Sequence, residues 1–245
     1  MNGTARIIGS SLYRLHAVGS TNTELLGNAG NYGHGSVLTA NIQTAGRGRY
    51  SRKWHSAEGG LYMSILLKDI DIANTFLPFC LLSGLAVART LEDILPLPLY
   101  IKWPNDVYAG ERKICGILPE SVSRDPHTLC VTGIGINVNN PAGELRDLRK
   151  PAVSVRELRG KTADTRAILA RLIDLLNSYY TGLVAGGPAQ YLPELNARLF
   201  GRGRTQTLCL HGKSRSIVPL AFTEQAGLLC RDDGREREIR LGEML

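Results

Sequence analysis

The 245-residue sequence predicts an α+β fold: a mixed sheet flanked by helices over residues 1–200, and a small all-β barrel of SH3-like size over residues 201–245. Three observations predict it. Between residues 99 and 138 strand-like runs follow one another with no helix between them, which favours antiparallel or mixed pairing over βαβ units. Two longer segments carry apolar residues at helical spacing. After 201-GRGRT-205 the chain turns into short β-runs separated by turns.

Each element has a local reason. Residues 11–18 (SLYRLHAV) alternate as a strand, and 19-GSTNTELLGNAG-30 follows as a capped helix, with Ser20 or Thr21 at the N-cap and Glu24 in the first turn, where the helix dipole favours an anion. The runs 36-SVLTANIQ-43 and 61-LYMSILLK-68 read as strands on either side of the loop 44–60. Leu77, Leu81, Leu82, Leu85 and Ala88 mark an amphipathic helix over 73–95. Strands are expected at 99–103, 113–118 and 129–138, the first two joined as a hairpin by the polar stretch 105-NDVYAGERK-113. A long helix spans 164–184 and stops at 186-GGP-188; a shorter one covers 188–199. The tail is expected to form strands at 205–210, 216–222, 227–231 and 237–242.

Composition excludes several classes. With 43% hydrophobic and 21% charged residues the chain is not disordered. The net charge of +7 fits a polyanion partner and equally an enzyme that handles a nucleotide and an acidic protein. Cys80, Cys115, Cys130, Cys209 and Cys230 are odd in number and mostly sit in apolar runs, so they read as reduced core thiols in the cytoplasm. Neither CxxC nor HExxH occurs, no signal-peptide pattern opens the chain, and no uninterrupted apolar run approaches the roughly 18 residues of a membrane span.

Common catalytic motifs also fail. The glycines of the 41-NIQTAGRGRYSRKWHS-56 stretch break the G-x-G-x-x-G pattern at Ser51, and no helix follows; 160-GKT-162 and 212-GKS-214 lack the upstream glycine of a P-loop. There is no G-x-S-x-G. His16, His34, His55, His127 and His211 are scattered and read as surface or capping residues. What remains is a set of polar residues at strand ends: Ser20-Thr21-Asn22, Gln43, Arg47 to Trp54, 102-KWPND-106, Lys113 with Gly116, and Gly133, Gly135 and Asn137. Singly, each has a structural reading as a cap, a core residue or a close-packing glycine. Together they supply what an acyl phosphate needs: glycines for backbone approach, arginine forks for oxygens, and a lysine where negative charge builds up.

In that order and spacing, GRGRYSRKWHS, KWPNDVY, RKICGIL and GIGINV resemble the signature segments of biotin protein ligases, of the monofunctional type without an N-terminal DNA-binding domain. The resemblance spans about Ser20 to Asn137. It implies a catalytic domain of the class II synthetase-like biotin/lipoate ligase kind, and a cytoplasmic enzyme that converts biotin and ATP, with Mg²⁺, to biotinyl-5′-AMP. The acyl group then passes to a lysine of a biotin carboxyl carrier protein, such as that of acetyl-CoA carboxylase.

The resemblance also implies roles for individual residues. Ser20, Thr21, Asn22, Gln43, Gly46 and Arg47 would hold the ureido ring, and Gly116, Gly133 and Gly135 would leave room for biotin beside the sheet. Trp54 would wall the bicycle or the adenine. Lys113 and Arg49 would serve both biotin and ATP and act in catalysis, and Asp106 would orient or deprotonate the incoming lysine or help bind Mg²⁺. Arg47, Arg52, Lys102, Asn105 and Asn137 fall on the ATP side. No protein metal site, no sequence-specific DNA binding and no membrane association are expected, and the assembly would be a monomer or homodimer.

Two departures from the family pattern stand out. Tyr50-Ser51 replace the usual Arg-Gly pair, and Pro119 sits inside a strand, where an edge position or a bulge would absorb it. A lipoate or octanoate ligase or transferase of the same architecture is the alternative enzyme. A basic nucleic-acid-binding protein is the alternative non-enzyme, against which the 6% aromatic content offers no stacking platform.

Overall fold

The computed structural model describes residues 6–124, 127–146, 151–210 and 212–244, so His211 lies outside the described residues. Strand β1 (Leu12–Val18) leads into helix α1 (Thr21–Gly27), followed by β2 (Val37–Gln43), β3 (Leu61–Lys68), α2 (Leu77–Glu92), β4 (Leu99–Lys102), β5 (Asp106–Ala109), β6 (Arg112–Arg124) and β7 (His127–Ile136). Helices α3 (Ala142–Arg146), α4 (Val155–Arg159), α5 (Thr165–Gly186) and α6 (Leu192–Ala197) come next. The chain ends in β8 (Gln206–Leu210), β9 (Lys213–Phe222), β10 (Leu228–Asp232), β11 (Arg235–Ile239) and β12 (Glu243–Met244).

The seven N-terminal strands form one sheet in the order β1-β2-β3-β7-β6-β5-β4, parallel only between β1 and β2. The mixed α+β expectation holds. β3 reads as a nearly continuous apolar run, broken only by Ser64 before Lys68, because both of its faces are buried. Leu61, Met63, Ile65 and Leu67 join the main core with α2 and α5, whereas Leu66 joins a smaller core with Leu25 of α1, Leu38 and Val131. Fully burying each such leucine contributes about 1.5–3 kcal/mol. The stretch Ile72–Glu92 is long and apolar enough, by length and composition, to cross a membrane. Here it is core: Leu82, Leu85, Val87 and Leu91 are buried.

Several boundaries differ from expectation. The polar stretch 105–113 contains a strand of its own: β5 pairs with β4 on one side and β6 on the other, so one hairpin becomes two. The alternating Val107 and Tyr108 are both buried, which outweighs the flanking turn residues. β6 and β7 are longer than their apolar runs because they pair with each other from Cys115↔Ile136 to Arg124↔His127. Helix α2 begins at Leu77 with Pro78 in its first turn, after a single wide turn over Ile72–Phe76. The short α3 and α4 were not anticipated.

Pro119 lies in β6 opposite Thr132. The Ile117 N–H donates to Asn105 O on the β5 side, and by the two-residue strand period the missing N–H of Pro119 faces that same side. β5 pairs with β6 only as far as Gly116, so the proline takes the edge position that tolerates it.

The C-terminal strands form a separate antiparallel sheet in the order β11-β10-β9-β8-β12. Strand β11 runs from Arg235 to Ile239, earlier than the expected 237–242, because Gly234 at φ 74° makes the turn of the β10–β11 hairpin. The buried Trp103 ties the two sheets together, its indole N–H donating to Ala226 O at 3.0 Å. Residues 198–200 run beside β4, with Ile101 N–H donating to Arg198 O and Phe200 N–H to Ile101 O, and so cover the sheet edge.

Candidate active site

Strand register builds the floor of a cavity of about 200 Å³. Lys102 pairs with Asp106, Asp106 with Gly116, and Gly116 with Gly135, one row across four strands; Gly133 lies two residues along β7, opposite Ser64. The glycines let side chains lie directly on the backbone. A Cβ on Gly135 would stand 2.5 Å from Trp54 Nε1, and one on Gly133 would stand 2.9 Å from Asn22 Cγ.

One end of the cavity is neutral and polar. Ser20 caps α1, which turns Thr21 and Asn22 toward the sheet. Gln43 Oε1 accepts from Thr21 N at 2.9 Å, and Gln43 Nε2 donates to Ser56 Oγ at 2.9 Å. The fully buried Ser64 Oγ donates to Asn22 Oδ1 at 2.6 Å and lies 2.7 Å from Thr21 Oγ1. Asn22 Nδ2 donates to Glu120 Oε2 at 2.7 Å and to Leu118 O at 3.2 Å. Every amide on this wall is oriented by a named partner, an arrangement suited to a small ring that both donates and accepts.

The opposite end is charged. Lys113 Nζ donates to Asp106 Oδ1 at 2.6 Å, with side-chain exposures of 19% and 12% that leave the pair dry enough for its charge to matter. Lys113 Nζ is also 5.1 Å from the Trp54 ring centre. The Asn137 amide donates to Val153 O, and Asn105 Nδ2 to Ile117 O at 2.6 Å, so both line the cavity with fixed side chains. The buried Cys115 thiol on β6 is pushed well above its ordinary pKa by desolvation.

The arginine loop closes over both ends. It is a short antiparallel arch: Arg47 bridges Lys53, Gly48 N–H donates to Arg52 O, and Trp54 N–H donates to Gly46 O. At its tip Arg49 Nη1 donates to Gly242 O at 3.0 Å, and Arg52 Nη1 donates to Glu243 Oε1 at 2.7 Å. The hydrogen bond to Glu243 raises the pKa of Arg52.

Comparison with known proteins bears directly on this arrangement. The sequence model of the biotin/lipoate A/B protein ligase family matches residues 16–137. The biotin–[acetyl-CoA-carboxylase] ligase of Mycobacterium tuberculosis is 30% identical over 235 residues, covering 93% of this chain and 85% of that protein. The chain belongs to the biotin/lipoate A/B protein ligase family.

Among solved structures, this family member matches a biotin protein ligase from Aquifex aeolicus in complex with biotin and ATP, with a TM-score of 0.83, 31% identity, and coverage of 96% of this chain and 97% of that one. The bifunctional ligase/repressor BirA of Bacillus subtilis is 34% identical over 192 residues; the match takes in 59% of its length and 75% of this chain.

Within this family fold most of the sequence-derived residues converge on the one cavity, and two stand apart. Gly46 is packed beneath Gln43 and Ser56, behind the lining. Lys102 is buried one strand beyond Asp106, its ammonium 5.0 Å from the Tyr108 ring centre and 5.1 Å from that of Phe200. The Arg47 side chain reaches Thr23 Oγ1 and the Glu120 carboxylate, at the neutral end and away from the Lys113–Asp106 pair. Residues that the sequence did not single out include Ser64, Ser56, Glu120, Ala152, His55 and Glu243. Ala152 enters because residues 151–153 run beside Lys113 as an extra strand. His55 lines the cavity while pairing with Glu144 at 3.3 Å. His55 and Ser56 close the segment GRGRYSRKWHS and the other four lie outside the quoted segments; in none of the six does spacing make a polar role legible.

Proposed function

We propose that the chain is an ATP-dependent biotin–carrier-protein ligase, with residues 1–200 as the catalytic domain and 201–245 bracing the arginine loop. The observation that carries this reading is a cavity neutral and hydrogen-bonding at one end, cationic at the other, and floored by glycines in between. A ureido ring fits the end built by Thr21, Asn22, Gln43 and Ser64. A carboxylate meeting a phosphate fits the end that carries Lys113, Arg49 and Arg52.

The chemistry follows from that polarity. Biotin's carboxylate oxygen attacks the α-phosphorus of ATP, a P–O bond to pyrophosphate breaks, and biotinyl-5′-AMP forms. Lys113 stabilises the negative charge that grows on the transferring phosphoryl oxygens, which a preorganised ammonium does without reorganising solvent. Trp54, lying on the glycine floor at Gly116 and Gly135, forms an apolar wall against the bicycle, and its indole N–H is buried without an acceptor among the described residues. Arg49 and Arg52 close over the adenylate and keep water from the mixed anhydride. In the second step Asp106 takes the proton from a carrier lysine, whose amine, with an ordinary pKa near about 10.4, must be neutral to attack the acyl carbon; an amide forms and AMP leaves.

Among the described residues no group of three His, Cys, Asp or Glu could hold a metal ion. Mg²⁺ would enter as an ion carried on the triphosphate, where it offsets phosphate charge. The five unpaired thiols support a cytoplasmic setting.

Incubation with ATP, Mg²⁺ and biotin should give biotinyl-adenylate by mass spectrometry, and a carboxyl carrier domain added afterwards should gain one biotin. Adenylation of lipoate or octanoate in place of biotin would overturn the assignment.

A further inference from the structure

The arginine loop contains a feature that the proposed chemistry does not use. Tyr50 stands between Arg49 and Arg52, its ring centre 4.9 Å from one guanidinium carbon and 5.4 Å from the other. Its hydroxyl accepts from Arg49 Nη2 at 3.1 Å. Tyr50 and Ser51 both hold φ at 57°, a left-handed conformation that side chains other than Asn, Asp and Gly rarely adopt. The residue is 62% exposed, so burial does not account for holding that backbone. The two arginines that flank it anchor the tip to the C-terminal strand, on Gly242 O and Glu243. Both also line the cavity.

We propose that Tyr50 is a positioning residue that holds the guanidinium groups of Arg49 and Arg52 at the cavity mouth before any ligand arrives. The physical basis is preorganisation. Each arginine carries considerable rotamer freedom, and stacking both on one ring removes that freedom in advance, so less ordering is left for the moment a polyphosphate binds. The left-handed backbone at two successive residues is what brings the ring of residue 50 back between its neighbours. The inference rests on the ligase reading only for the identity of the anion; the ordering of the loop does not depend on it.

Two variants separate the ring from the backbone. Tyr50→Asn removes the ring and keeps a residue that tolerates the left-handed conformation. Tyr50→Phe keeps the ring and loses the hydroxyl. In the ligand-free protein, trypsin should cut after Arg49 and Arg52 about tenfold faster in the Asn variant, the size of effect that two exposed cation–ring contacts carry together, and the Phe variant should stay within about threefold of the parent. In the adenylation assay the Asn variant should raise the KM for ATP by a similar factor, and Phe should restore most of the loss. Equal cleavage rates in all three proteins, or a Phe variant as open as the Asn one, would overturn the role of the ring. Failure of the parent to form any adenylate would sink the ligase reading and leave the proteolysis comparison to decide Tyr50.

Discussion

Replacing Gly133 by alanine tests the floor of the cavity most directly. The new Cβ would stand 2.9 Å from Asn22 Cγ and 3.0 Å from its Nδ2, and Asn22 is no loose side chain. It is bound by Ser64, Leu118 O and Glu120. If the residues stay in place, the overpacked contact costs about 1–3 kcal/mol. If Asn22 swings out, it forfeits three hydrogen bonds worth about 1 kcal/mol each and leaves the buried Ser64 short of a partner. The cheaper route sets the cost, about 1–3 kcal/mol, which for a chain of this size lowers the melting temperature by about 2–12 °C.

Gly135→Ala is the informative contrast. Its Cβ would meet the Trp54 ring at 2.5–2.7 Å, but Trp54 belongs to the half-buried loop and can move away. Melting should fall by only about 2–4 °C, corresponding to about 1 kcal/mol, while biotinyl-adenylate formation drops sharply. Thermal unfolding followed by circular dichroism, with adenylate formation measured on the same samples, distinguishes the two. A Gly133→Ala protein that melts within about 1 °C of the parent and forms adenylate at the parental rate would refute the packing described for Asn22.

Three further outcomes are expected. Lys113→Ala should lose adenylation by a factor of about 10²–10³ with an unchanged circular dichroism spectrum, and Lys113→Arg should not restore it, because a planar fork cannot replace a point charge 2.6 Å from Asp106. Desolvation pushes the thiol of Cys80 up to about 12 and that of Cys130 up to about 11, and holds Cys115 high as well. In the native protein at pH 8 an aromatic disulfide reagent should therefore label the half-buried Cys209 ahead of these three, and equal rates for Cys115 and Cys209 would contradict the burial of β6. Asp69 has its pKa lowered by Thr128 N–H and by His127, so its folded value lies below its unfolded one. The stabilisation is present above the ordinary carboxylate range near about 3.9 and is lost as pH falls through the folded value. Asp69→Asn should reduce stability at pH 7 and flatten acid unfolding below about pH 4, and an acid limb identical to the parent's would show that this contact contributes nothing.

Much of the site was legible in the sequence because its residues lie in four short segments whose local chemistry is distinctive. Ser20 at a helix start, glycines inside a strand at 133 and 135, and an arginine-glycine loop between two strands are local patterns, and each element came out where its pattern placed it. β5 was missed because four strand residues inside turn-forming neighbours carry too little periodicity to register. The resemblance assigns Lys102 to the nucleotide side; the row Lys102–Asp106–Gly116 sets it one strand beyond Asp106, with its ammonium over the Tyr108 and Phe200 rings.

The sequence by itself determined the α+β class, the loop joining two strands and the residue types able to handle an acyl phosphate, since period, glycine position and charge act over a few residues. Tertiary structure alone decided that β7 lies between β3 and β6, which brings Gly116, Gly133 and Gly135 under Trp54 and Asn22. It also decided that Glu120 holds Arg47 and Asn22, and that the last strand supplies Gly242 O and Glu243 to the arginine loop. Those pairings join residues up to 193 positions apart, and they depend on which strands hydrogen-bond and in what register. No local pattern carries that information.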